Sequence, residues 1–194
     1  MKQGFVKVAS ATPGIRVADP VYNAQVICEQ AKEAAEHGAK IVVFPELCIT
    51  GYTCNDLFLQ ELLLEKAKEA LLTIAEETGQ LETLFLVGLP VDKDGRLYNV
   101  AAVLYRGRIL GMIPKKNIPM YAEFYEGRHF TPGEETVTEY RLGKQVIPFG
   151  SNLLFRCEEL PELILGCELC EDLWVAEPPS TSHALMGATV IANL

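Results

Sequence analysis

The stretch Leu163-Ile164-Leu165-Gly166-Cys167-Glu168-Leu169-Cys170-Glu171-Asp172-Leu173-Trp174 decides how the rest of the chain is read. Leu163 to Leu165 is an apolar run that reads as a buried strand. It breaks at once into cysteines, paired acids and the single tryptophan of the chain. A strand that ends in a reactive side chain at a turn holds that group rigidly and in the open, which is what a nucleophile needs. Taken alone, Cys167 and Cys170 fit three readings. They are small packing residues, as most free cysteines are, or a Cys-x-x-Cys redox or metal pair, or a nucleophile whose charged partners lie elsewhere. The pair reading is weakest, because no second pair stands at zinc spacing.

The same pattern of strand followed by polar turn recurs twice. Ile41-Val42-Val43-Phe44 is wholly apolar and runs into Pro45-Glu46-Leu47-Cys48-Ile49-Thr50-Gly51-Tyr52. A carboxylate directly after a buried strand sits at the rim of a sheet. Partial desolvation there raises its pKa toward the range of a general base. For Glu46 alone, a surface pair or a turn cap is the plainer reading. Ile109 to Ile113 runs into Pro114-Lys115-Lys116 and a proline-rich loop to Gly133 that carries Tyr121, Phe124, Tyr125 and Phe130. So polar a loop over a sheet edge, with four aromatics, suits a binding site. For the Lys115-Lys116 pair two readings stand, one lysine inward and functional or both solvated, and the second is the usual case. His129 reads as a loop hydrogen-bonding residue, His37 as a helix C-terminal or surface residue, and Cys48 and Cys54 as packing.

The remaining elements frame these three strand ends. Phe5 to Ser10 reads as a strand closed by Pro13-Gly14, and Met1 to Val8 alternates like one. Asp19-Pro20 opens a helix over Val21 to His37, stopped by Gly38. Asn55-Asp56 opens a second helical segment, Leu57 to Thr78. Leu84 to Leu89 is a strand ending at Pro90, and Asp94-Gly95 is a hairpin turn. Tyr98 to Tyr105 pairs with Ile109 to Ile113 across Arg106-Gly107-Arg108. Val146 to Phe149, Leu153 to Phe155 and Thr189 to Leu194 are further strands, with a short helical turn at Ser182 to Gly187. Alternating strands and helices followed by hairpins predict an α/β protein with a mixed sheet.

Composition narrows the function. The formal charge of −9 and pI near 4.9, with no basic stripe, argue against a nucleic-acid or anionic-membrane surface. No apolar run approaches bilayer length, and the N-terminus lacks a signal peptide's apolar core. Six cysteines without an export signal are expected as free thiols in a reducing cytoplasm. At 194 residues the chain is one domain or part of a larger one. Gly-x-Gly-x-x-Gly, Ser-x-x-Lys and Gly-x-Ser-x-Gly are all absent from the sequence.

Residues at the carboxyl ends of strands converge in α/β sheets, so Glu46, Lys115 and Cys170 are expected together. Their chemistry is coherent. A carboxylate takes the thiol proton, an ammonium favours the thiolate, and the same ammonium with a backbone amide stabilises a tetrahedral oxyanion.

Phe44-Pro45-Glu46-Leu47 with Gly51-Tyr52, Pro114-Lys115 with Tyr121 and Glu123-Phe124-Tyr125-Glu126, and Cys170-Glu171-Asp172 resemble, in order, the three motifs of the nitrilase superfamily of carbon-nitrogen hydrolases. The Tyr-x-Glu-Phe-Tyr-Glu loop and the Cys-Glu-Asp turn resemble one branch, the glutaminase domain of glutamine-dependent NAD+ synthetases. The resemblance spans essentially the whole chain. It implies an α-β-β-α sandwich, with Glu46 as general base, Lys115 rather than Lys116 as electrostatic stabiliser and Cys170 as nucleophile on the side-chain amide of glutamine. It also implies that Tyr121 contacts glutamine, that Glu126 orients the lysine and that Tyr52 lines the pocket, with Cys167 a packing residue. No metal or cofactor is implied for residues 1–194. ATP, magnesium and deamido-NAD+ belong to a synthetase domain that has no counterpart here, and a homo-oligomer follows by analogy. In that branch the glutaminase domain continues past this chain's last residue, so the expectation is an incomplete domain and a weak or inactive glutaminase. Another nitrilase-type amidase or carbamoylase, and an inactive interaction module, are the alternatives.

Overall fold

The computed structural model describes residues 4–194. The alternation proposed for Met1 to Gln3 lies outside the described residues. Two sheets form the centre. The larger has seven strands in the order β1-β2-β3-β4-β5-β7-β6. They are β1 Val8–Ser10, β2 Ile41–Val43, β3 Leu84–Lys93, β4 Arg96–Tyr105, β5 Arg108–Pro114, β6 Thr138–Leu142 and β7 Gln145–Phe149. The smaller has the order β10-β9-β8, from β8 Leu154–Arg156, β9 Ile164–Glu168 and β10 Val190–Asn193. β1, β2 and β3 run parallel and β3, β4 and β5 antiparallel, so the sheet is mixed as expected.

Side-chain alternation places the layers. On β3, Phe85, Val87, Leu89 and Val91 face the helices α1 Pro20–Glu36 and α2 Glu61–Glu77, where they meet Ile27, Ala31, Leu71 and Ile74. Leu86 of the same strand, with Ala101 and Val103 of β4, faces Leu165 and Cys167 of β9. Burial on both faces is why these strands read as unbroken apolar runs. On the far side of the small sheet, α3 Pro179–Leu185 packs so closely that a Cβ on Gly166 would stand 2.8 Å from the His183 ring. The order is helices, sheet, sheet, helix.

Local signals placed the first helix well. Asp19 accepts the Tyr22 N–H at 3.1 Å, Pro20 occupies the first turn, and Gly38 takes φ +82°. Asp94 and Gly95 both have positive φ, as a type I′ hairpin requires.

Four expectations need correction. The second helical segment is two pieces, a kinked 3-10 stretch Tyr52–Leu59 and then α2, because Gln60 is extended. β3 does not end at Pro90 but continues to Lys93, with Pro90 opposite Asn99. The Asp94-Gly95 turn keeps the two strands paired past the proline. Thr138–Leu142 was not anticipated as a strand; its exposed, polar alternate residues hide the pattern, and it exists by pairing with β7. The first strand is only Val8–Ser10 rather than Phe5 to Ser10.

Candidate active site

The three strand ends meet. Phe44 continues beyond β2 by donating its N–H to Leu86 O at 2.9 Å, and the chain then folds into a tight turn that carries Glu46. Leu47 adopts φ +52°, a left-handed conformation that the turn enforces through Gly51 N–H to Leu47 O at 2.7 Å. Gly88 of β3 makes this possible. A Cβ there would stand 2.3 Å from Leu47 N and 2.7 Å from Pro45 O, so only glycine lets the loop lie on the strand. Asn23, fully buried on α1, donates to Ile49 O at 2.9 Å and ties the far end of the loop to the helix.

Lys115 follows β5 directly. Its N–H donates to Asn99 O at 2.8 Å, and its own carbonyl accepts from Gly133 N–H at 2.7 Å. Its Nζ lies 2.6 Å from Glu46 Oε1 and 2.8 Å from Glu126 Oε1, and the side chain is wholly buried. Lys116 points outward to Glu135. Glu126 comes from a short 3-10 turn, Glu126–Arg128, in the aromatic loop. Tyr52 donates its hydroxyl to Glu126 Oε1 at 2.8 Å, so Tyr52 holds the cluster as well as flanking it.

Cys170 begins the 3-10 turn Cys170–Trp174 just after β9 and is partly exposed. Its φ is +39°, a conformation that costs a non-glycine residue of order 1–3 kcal/mol and persists only where the surroundings impose it. Those surroundings are specific. Cys170 N–H donates to Leu194 O at 3.0 Å. The buried Asp172 carboxylate accepts Leu169 N–H at 3.1 Å and Asn117 N–H at 2.7 Å, with a third bond from Asn117 Nδ2 at 2.9 Å. Asp172 therefore joins the cysteine turn to the chain just after Lys115. Cys167 is buried between the sheets, where desolvation pushes its thiol pKa well up, so it is a packing residue.

The charges set the chemistry. Burial raises the Glu46 pKa above the ordinary carboxylate value, and the nearby Glu126 charge adds to this, against the pull of Lys115. Burial opposes the charge on Lys115, but Glu46 and Glu126 outweigh it and its pKa stands above the usual lysine value. Burial and the Glu46 charge also raise the Cys170 thiol pKa, with Lys115 acting the other way. Burial and the Glu46 charge thus oppose ionisation of the Cys170 thiol more than Lys115 favours it. The expected stabilisation of a resting thiolate by the lysine is outweighed.

Tyr121 lies at the rim, with its hydroxyl donating to Glu171 Oε2 at 2.7 Å. His129 departs from expectation. It is almost fully buried and neither ring nitrogen forms a hydrogen bond, while its ring packs near Phe58 and Phe130. Asn99 escaped the sequence reading because it lies within the apolar run of β4. Its Nδ2 donates to Glu46 Oε1 at 2.7 Å and to Glu126 Oε2 at 3.4 Å.

The structure thus brings a cysteine on a strained turn and a carboxylate-bound lysine to one end of a two-sheet sandwich. The chain belongs to the carbon-nitrogen hydrolase family, whose model matches residues 7–194. Over 193 residues it is 42% identical to the glutamine-dependent NAD(+) synthetase of Mycobacterium tuberculosis, covering all of this chain and 28% of that protein. The crystal structure of a glutamine-dependent NAD(+) synthetase from Cytophaga hutchinsonii superposes with a TM-score of 0.85 at 28% identity, over 97% of this chain and 30% of that one. An amidase from Nesterenkonia, at 20% identity and a TM-score of 0.76 over 98% of this chain and 65% of that one, shares the fold. The chain thus spans less than a third of the synthetases it matches. No helix among the described residues is long and apolar enough to cross a membrane.

Proposed function

We propose that this chain is a glutamine amidohydrolase unit that releases ammonia through a thioester on Cys170. The observation that carries the proposal is the Glu46–Lys115–Glu126 cluster at hydrogen-bonding distance, placed where its charges act on Cys170. Glu46 takes the thiol proton as sulfur attacks the side-chain carbonyl carbon of glutamine. Lys115 has three N–H donors; two are held by Glu46 and Glu126, and the third, with a backbone amide near the nucleophile, meets the oxyanion. As the tetrahedral species collapses, the C–N bond breaks and Glu46 returns the proton to the departing ammonia. Water, deprotonated by Glu46, then attacks the thioester. Glutamate leaves and the thiol regains its proton. Tyr121 and Tyr52 contribute to the glutamine pocket. The protein acts without a metal or cofactor in this unit.

Glutamine is favoured over other amides by the synthetase relatives, each described as glutamine-dependent. By the same reading the ammonia serves a synthetase partner that uses ATP, magnesium and deamido-NAD+, in the cytoplasm and as a homo-oligomer.

The test is intact mass and peptide mapping after incubation with a diazo-ketone analogue of glutamine, alongside ammonia release from glutamine and from other small amides. Labelling of Cys170 alone, blocked by excess glutamine, supports the proposal. Labelling that is indifferent to glutamine but blocked by another amide would overturn the substrate assignment.

A further inference from the structure

The geometry points to Asn99 as a positioning residue that fixes which oxygen of Glu46 acts as the base. Its catalytic side rests on the glutaminase reading above.

Asn99 sits on β4 opposite Pro90, with its backbone carbonyl taking the Lys115 N–H at 2.8 Å. It is fully buried. Among the described residues its amide nitrogen is the one neutral donor that reaches both carboxylates of the cluster, Glu46 Oε1 at 2.7 Å and Glu126 Oε2 at 3.4 Å. Lys115 Nζ reaches the same Glu46 oxygen at 2.6 Å. Two donors therefore converge on Glu46 Oε1, and among the described residues none reaches Oε2. An oxygen that already accepts two strong donors is a poor proton acceptor, whereas the free one keeps its basicity. Asn99 thus directs the proton of the attacking thiol to Oε2.

The second consequence is electrostatic. Glu46 and Glu126 share one ammonium, so the buried cluster carries an excess negative charge. A neutral donor touching both carboxylates lowers their mutual repulsion without cancelling the charge that makes Glu46 a base. A lysine or arginine at this position would cancel it. An aspartate would add to it. Asn99 Oδ1, by contrast, accepts no hydrogen bond from the described residues, so the protein engages the donor end of this amide.

The experiment compares the wild-type chain with Asn99→Leu, which keeps the shape but removes the donor, and Asn99→Asp, which adds a charge. Side-chain-carboxyl 13C-labelled glutamate gives the Glu46 titration midpoint by NMR, assigned by the signal lost in Glu46→Gln. Ammonia release from glutamine gives kcat, KM and the acid limb of the pH profile. The expected order of Glu46 midpoints is wild type, then Asn99→Leu, then Asn99→Asp as the highest. In the variants kcat falls about 10- to 100-fold, the range for losing one hydrogen bond to a charged group, with KM changed less and the acid limb moved up in pH. A Glu46 midpoint and a kcat that are unchanged in a folded variant overturn the inference. A wild-type chain that releases ammonia from another small amide but not from glutamine, and whose Glu46 midpoint still rises in both variants, sinks the glutamine assignment and leaves the role of Asn99 standing. Circular dichroism of each variant separates unfolding from either result.

Discussion

Tyr121 donates its hydroxyl to Glu171 Oε2 across 2.7 Å, which fastens the aromatic loop to the turn that carries Cys170. Both residues are at the surface, where water competes for the bond, so it adds little to stability. Its value lies in closing the rim. Tyr121→Phe is therefore expected to leave the unfolding midpoint almost unchanged while weakening the protection that glutamine gives Cys170 against alkylation. A large loss of stability, or protection equal to wild type, would contradict this.

Lys115→Met leaves Glu46 and Glu126 buried without their cation. Removing one partner of a buried ion pair costs about 3–5 kcal/mol. The loss depends on pH with a definite sign. Without the ammonium the folded-state pKa of Glu46 rises further above its unfolded value, so the folded state binds more protons. Stability then falls as pH rises through that window. Urea unfolding at pH 5.5 and pH 8 should show the variant relatively more damaged at pH 8.

Glu46→Gln should move two rates in opposite directions. The Glu46 charge helps to hold the Cys170 thiol protonated, so removing it lowers the thiol pKa and speeds alkylation by iodoacetamide near neutral pH. Ammonia release from glutamine should be lost, because no base remains. In the wild type, burial places the Glu46 pKa above that of an ordinary carboxylate, about 4.3, so the base is lost on acidification at a correspondingly higher pH. Alkylation and ammonia assays on one preparation decide the matter, and parallel losses would show that Glu46 does not act on the thiol.

Gly88→Ala should damage the site from the opposite side of its loop. The new Cβ would stand 2.8 Å from the carbonyl carbon of Glu46, against backbone that cannot rotate away. Overpacking of this kind costs about 1–3 kcal/mol. The Glu46 turn must move, so Cys170 labelling by the diazo-ketone should fall even in the folded fraction. Wild-type labelling would mean that the loop tolerates the shift.

Much of this protein is legible in its sequence because the relevant forces are local. Asp19-Pro20 caps a helix, Asp94-Gly95 turns a hairpin, and apolar runs become strands by pairing with neighbours of their own kind. The three strand ends announce themselves because a charged or reactive side chain stands where an apolar run stops. The extension of β3 through Pro90, the polar strand Thr138–Leu142 and the break at Gln60 were hidden, since each is decided by what pairs or packs against it.

By itself, then, the sequence determined the mixed α/β class and the candidacy of Glu46, Lys115 and Cys170, while the layered order was implied only by the family resemblance. Only the tertiary structure decided how they are held. Tyr52 reaches Glu126 across 74 positions, Asn99 reaches Glu46 across 53, and Asp172 reaches Asn117 across 55. Gly88 is required because a distant loop rests on it. The reason is physical. A side chain's charge, reach and helix or strand preference are written in its own residue and its neighbours, but the partner that neutralises it, the donor that orients it and the burial that shifts its pKa come from segments that folding alone brings near.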